Sequence, residues 1–106
     1  MIFSRGIVKM DINEGVVKFR KNANAVLLDV RTESEFSSGY NRGAINIPLQ
    51  EIEDVTDEVT GKDTPLYVHC RSGVRSKQAA AALRYMGYTN VVDLGGILDY
   101  RGELIK

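Results

Sequence analysis

The run Ala25-Val26-Leu27-Leu28-Asp29-Val30 is almost unbroken in its apolar character, which is the pattern of a strand covered on both faces, as in a parallel sheet. A second run, Leu66-Tyr67-Val68-His69, leads directly into Cys70. Shorter strands are expected at Ala44-Ile45-Asn46-Ile47, stopped by Pro48, and at Val91-Val92-Asp93-Leu94. Helical signals lie between them. Asp11 followed by Glu14 reads as a capping box, and Ile12, Val16 and Phe19 recur at helical spacing, which predicts a helix over about 12–21. A short helical piece is expected over 33–37, and Gly39 and Gly43 bracket the turn that follows it. Residues 76–86 give the clearest helix, with Ala79, Ala82, Leu83 and Met86 on one stripe and Gly87 as its carboxyl cap. After a Gly95-Gly96 turn, residues 97–101 read as a last helical turn. Strands alternating with helices imply an α/β layer architecture, in which ligands bind beyond the carboxyl ends of the strands. Asp29 and Cys70 both stand at such ends.

Size and charge narrow the function classes. A chain of 106 residues is expected to form one domain over 1–106, with no room for a second. Fourteen basic residues balance fourteen acidic ones, so no basic excess points to a nucleic acid or a membrane surface as partner. The five acids within residues 51–58 read as a solvated helix face. No apolar run approaches the roughly 18 residues that span a bilayer. Arg5, Lys9, Asp11, Glu14, Lys18 and Arg20 interrupt any apolar core of a secretion signal, and the expected compartment is the cytoplasm. The single cysteine excludes an intrachain disulfide, a CxxC pair and a multi-thiolate zinc site, which leaves a structural thiol or a reactive one.

The segment after that cysteine favours reactivity. Cys70-Arg71-Ser72-Gly73-Val74-Arg75-Ser76 joins a strand end to a helix start, where successive backbone N–H groups can converge on one sulfur and stabilise it as an anion. Two arginines and a turn glycine beside a merely packed cysteine have no purpose. His69 is adjacent, yet consecutive residues of a strand point to opposite faces. It reads as a packed histidine, and without a second histidine a papain-like hydrolase lacks its base.

These residues resemble the rhodanese-like sulfurtransferase family over nearly the whole chain. The first block is Leu27-Leu28-Asp29-Val30-Arg31, then Glu35-Phe36, then Gly39-Tyr40-Asn41-Arg42-Gly43-Ala44-Ile45-Asn46-Ile47-Pro48. The second runs from Val68 to Ser76, and the third is Leu94-Gly95-Gly96-Ile97. The resemblance implies a rhodanese-like α/β fold, with a central parallel sheet of about five strands and helices on both faces. It further implies that Cys70 is the catalytic nucleophile, taking a sulfane sulfur from thiosulfate or a similar small anionic donor as a persulfide. Cyanide or a thiol, carried by a small molecule or by a protein, would accept it. The amides of Arg71, Ser72, Gly73, Val74, Arg75 and Ser76 would form the substrate cradle, with Arg71 and Arg75 offering charge, and no cofactor or metal is implied. Tyr40 and Tyr100 depart from the usual histidine and tryptophan at positions that look structural, and Asp29 and Arg31 read as buried charges that fix neighbouring loops.

Two other readings stand beside this one. A dedicated persulfide carrier or interaction module would pass sulfur to one protein partner alone. An arsenate reductase or phosphatase-like enzyme would use the same kind of loop for an oxyanion, but four residues separate Cys70 from Arg75, one fewer than in such enzymes, which suits a single sulfur atom better.

Overall fold

A computed structural model describes residues 6–106 of the chain; Arg5, the first of the charges in the amino-terminal segment, lies outside the described residues. Among the described residues five strands form one parallel sheet: β1 (Ile7–Lys9), β2 (Val26–Asp29), β3 (Ile45–Asn46), β4 (Leu66–Cys70) and β5 (Val91–Gly96), in the order β1-β5-β4-β2-β3. Four of them match the apolar runs of the sequence. The fifth, β1, is a three-residue edge strand hydrogen-bonded to β5, too short to leave a periodic signal.

The helices are α1 (Ile12–Arg20), α2 (Glu33–Ser37), α3 (Val55–Glu58) and α4 (Val74–Tyr85), with 3₁₀ turns at Leu49–Asp54 and Ile97–Asp99. Alternation along the strands divides the core in two. Leu28, Val30, Leu66, Val68 and Cys70 face one side, where they pack with Val55 of α3 and with Ala79, Ala80 and Leu83 of α4. Leu27, Tyr67 and Val92 face the other, against Ile12 and Val16 of α1. Covering both faces is what makes β2 and β4 read as continuous apolar runs.

Local chemistry sets the boundaries. The Asp11 carboxylate accepts the amides of Asn13 and Glu14 and starts α1. Gly87, at φ +105°, ends α4, with the Tyr88 amide donating to the Leu83 carbonyl. The acids between residues 51 and 58 are exposed, while Ile52 and Val55 turn inward. Tyr40 stacks on Phe36 with ring centroids 4.3 Å apart and pairs its backbone with Ile105, and Tyr100 packs partly buried on the α1 side. Both tyrosines therefore serve packing.

Candidate active site

Because all five strands run parallel, their carboxyl ends share one edge of the sheet, and the loop from Cys70 to α4 crosses that edge at its centre. In β4 the side chain of Cys70 turns toward α4 and that of His69 toward the opposite face. The strand alternation that argues against a Cys–His pair thus holds in the fold. His69 is fully buried. Its Nδ1 lies 3.1 Å from the Cys70 carbonyl and its Nε2 lies 3.7 Å from Asp29 Oδ2 without a hydrogen bond. Burial pushes its pKa below the ordinary value, with Asp29 pulling the other way.

Cys70 is buried beneath its own loop, and the Gly73 amide donates to its Sγ at 3.0 Å. That geometry depends on glycine. Gly73 has φ +112°, in the region that side chains rarely adopt, and this turn aims its N–H back at the sulfur. The loop also lies flat on the end of β5, where Cys70 pairs with Gly96. A Cβ on Gly96 would meet the Arg71 carbonyl oxygen and the Ser72 Cα at 2.2 and 2.6 Å, so the position must be bare. Leu94 is the extra residue in a bulge of β5, since Val68 pairs with Asp93 and His69 with Gly95. Asp93 fastens this corner: its Oδ1 accepts the Ser76 hydroxyl at 2.8 Å and the Gly95 amide at 3.0 Å.

The two loop arginines differ. Arg71 is exposed; its backbone carbonyl accepts the Leu98 amide, and its guanidinium has no hydrogen bond or ion pair among the described residues. Arg75 was expected to offer its charge to a donor, but its Nη1 and Nη2 donate to Glu35 Oε1 and Oε2 at 2.7 and 3.0 Å. Ser72 and Val74 are exposed, and with Gly73, Gly96 and Lys77 they border a groove of about 770 Å³ that reaches the start of α1. Ser76 is buried against Asp93. Among the loop residues named from the sequence, Gly73 is bonded to the sulfur, Arg75 to Glu35 and Ser76 to Asp93; Glu35, Asp93 and Gly96, which complete the setting, were not among them. A glycine pair at a strand end was the visible signal for Gly96; the other two are recognisable only in three dimensions.

Behind the loop lies a buried ion pair. Arg31 Nε and Nη2 donate to Asp29 Oδ1 and Oδ2 at 2.9 and 2.6 Å, and the Arg31 amide adds a bond of 3.0 Å. The same guanidinium reaches the carbonyls of Glu35 and Gly39 at 3.2 and 2.8 Å, so Asp29 and Arg31 hold α2 and the following turn in place.

Fold and site together define a parallel α/β domain that presents, at the carboxyl edge of its sheet, a cysteine whose sulfur accepts a loop amide. The chain matches the rhodanese-like domain over residues 14–103 and belongs to that family. It is 40% identical over 81 residues to the uncharacterized protein YqhL of Bacillus subtilis, an alignment covering 76% of this chain but only 64% of that one. It is 38% identical over 80 residues to the thiosulfate sulfurtransferase PspE of Escherichia coli, covering 74% of this chain and 77% of the other. The crystal structure of a rhodanese-like domain protein from Staphylococcus aureus superposes with a TM-score of 0.80 at 28% identity, covering 92% of this chain and 96% of that one. No helix among the described residues is long and apolar enough to cross a membrane.

Proposed function

We propose that this protein is a sulfurtransferase that moves a sulfane sulfur from thiosulfate, or a similar anionic donor, to cyanide or a thiol through a persulfide on Cys70. The observation that carries the reading is the 3.0 Å bond from the Gly73 amide to Cys70 Sγ, because a loop curled around one sulfur is fitted to hold that atom, and the next one attached to it, as an anion. The Cys70 thiolate attacks the outer sulfur of thiosulfate. A new S–S bond forms, the bond to the sulfite sulfur breaks, and its electron pair leaves with sulfite. An acceptor then attacks the terminal sulfur of the persulfide and returns Cys70 to the thiolate. This is two-step covalent catalysis with ping-pong kinetics.

In this scheme the amides of residues 71–76 line the cradle, and exposed Arg71 supplies the charge that attracts the donor and steadies the departing sulfite. Ser76 acts by holding the loop against Asp93. Cys70 is buried at rest, so the donor reaches it as the exposed residues Ser72 and Val74 yield. The proposed setting is the cytoplasm, where a lone reactive thiol is kept reduced. The acceptor is a small thiol, cyanide or a protein thiol.

Intact mass spectrometry with and without thiosulfate tests the reading directly. We expect the parent protein to gain one sulfur atom and the Cys70→Ser variant to gain none. A parent that gains no sulfur, or a serine variant that still does, overturns it.

A further inference from the structure

Glu35 lies in α2, 40 residues from Arg75 in sequence, yet its carboxylate takes the fork of that guanidinium at two points, 2.7 and 3.0 Å. The carboxylate is fixed from behind as well. Thr32 donates to Oε1 from its amide at 2.9 Å and from its hydroxyl at 3.1 Å, while the Glu35 amide returns a bond to the Thr32 hydroxyl. The backbone of Glu35 is tied in turn to the buried Arg31. Both members of the pair are only about a quarter exposed, at 28% and 27%. A fork-on-fork pair of this kind gives orientation as well as attraction. The Arg75 guanidinium beside it lowers the Glu35 carboxyl to about 2, so the pair is ionised throughout the working pH range.

The consequence falls on the cysteine. The loop contains two cations; one is matched by Glu35 and the other, Arg71, has no partner among the described residues. Arg75 lies in the first turn of α4, two residues beyond the amide that binds Sγ, and a charge on Cys70 favours its protonated guanidinium less than Glu35 does. The field at Sγ from the Glu35–Arg75 pair is therefore that of a compensated dipole, where Arg75 alone would give a full positive charge.

The geometry points to Glu35 as a positioning residue of the cysteine loop, which pins Arg75 in place and withholds its charge from incoming anions, leaving Arg71 as the cation that selects the donor. Selection of the donor rests on the sulfurtransferase reading; the masking of Arg75 does not. It can be read without turnover.

Cys70 is the only cysteine, so its alkylation can be followed cleanly with two reagents of similar size, anionic iodoacetate and neutral iodoacetamide. A change in thiolate fraction or in loop opening alters both rates together and cancels in their ratio; a change in local charge does not. Glutamine at 35 preserves the capping box and removes the charge. At low ionic strength we expect Glu35→Gln to raise the iodoacetate-to-iodoacetamide ratio about threefold, Arg75→Gln to lower it by a similar factor, and the double variant to return to the parent value. In thiosulfate kinetics Glu35→Gln should lower KM while also lowering kcat, because the freed guanidinium binds the donor but no longer braces the loop.

An unchanged ratio in folded Glu35→Gln overturns the proposal, as do single variants that shift the ratio in the same direction. Should Glu35→Gln fail to fold, Arg75→Gln compared with the double variant reads the Glu35 charge a second time, and equal ratios there also overturn it. If the ratios behave as expected while no variant takes sulfur from thiosulfate, the masking stands and the functional reading fails.

Discussion

Substituting Asp29 by Asn leaves the shape of the side chain and removes its charge. Asp29 is fully buried and Arg31 is 5% exposed, so the variant leaves a guanidinium in the interior with no counter-charge, and the new amide offers Arg31 one neutral oxygen where two charged ones accepted from it. Breaking a buried pair in this way costs about 3–5 kcal/mol. At roughly 0.05–0.15 kcal/mol per residue, a 106-residue domain has a total stability of about 5–16 kcal/mol, so the loss is a third or more of it for most of that range. With an unfolding entropy of about 2.1 cal/mol/K per residue, or about 0.22 kcal/mol/K for the domain, Tm should fall by about 13–22 °C.

Differential scanning calorimetry supplies the test, supported by urea midpoints at unchanged slope. Replacing both partners with apolar residues, as in Asp29→Leu with Arg31→Met, should recover at least half of the loss, since no stranded charge remains. An Asp29→Asn variant within about 3 °C of the parent, or a double variant as unstable as the single, would refute the view that an uncompensated guanidinium sets the penalty.

Three further outcomes follow from the site. Arg71→Ala should raise KM for thiosulfate about fivefold, the loss of about 1 kcal/mol expected of an exposed charge contact, and an unchanged KM would remove Arg71 from donor recognition. Gly96→Ala forces the loop backbone away from β5 at a cost of about 1–3 kcal/mol, and the rate of sulfur gain at Cys70 should fall further than that stability loss explains; parent-like sulfur gain would show that the loop does not need this contact. His69, held neutral by burial, has a folded pKa below its ordinary 6.5. Unfolded chains therefore take up its proton first, and the stability present above pH 6.5 is lost as pH falls below it, by at most about 1.4 kcal/mol per unit. In urea titrations from pH 7 to 5 a His69→Asn variant should lack this slope, and an equal slope in both proteins would assign it elsewhere.

Most of the fold and the heart of the site were legible in the sequence because they rest on local patterns. Apolar runs marked the two central strands, and a strand leading into a cysteine, a glycine and a helix marked the loop. What escaped was non-local or disguised. β1 is stabilised by pairing with β5 and by little of its own, with Val8 54% exposed. α4 starts at Val74, two residues before the expected Ser76, because its cap is the backbone of Gly73 at positive φ with no side-chain bond. Ser76 looks like a capping residue but gives its hydroxyl to Asp93 on β5.

The same distinction explains why the partner of Arg75 cannot be read from its neighbours. Read along the chain, an arginine in a cysteine loop is a cation free to meet an anion; in the fold its partner arrives from α2, which is itself positioned by Arg31 and, through it, by buried Asp29. Hydrogen bonds thus connect the carboxyl end of β2 to the loop after β4 through Asp29, Arg31, Glu35 and Arg75. Each link fixes the next: the buried pair sets α2, α2 sets the Glu35 carboxylate, and that carboxylate sets both the orientation and the effective charge of Arg75. On this argument Asp29, which never touches the sulfur, acts on it at long range. Partial loosening of α2 should therefore change the charge selectivity of Cys70 before it unfolds the domain. In Asp29→Asn, at temperatures well below its Tm, the iodoacetate-to-iodoacetamide ratio should move in the direction of Glu35→Gln, and a ratio fixed at the parent value would show that the two ends of the chain of bonds are not coupled.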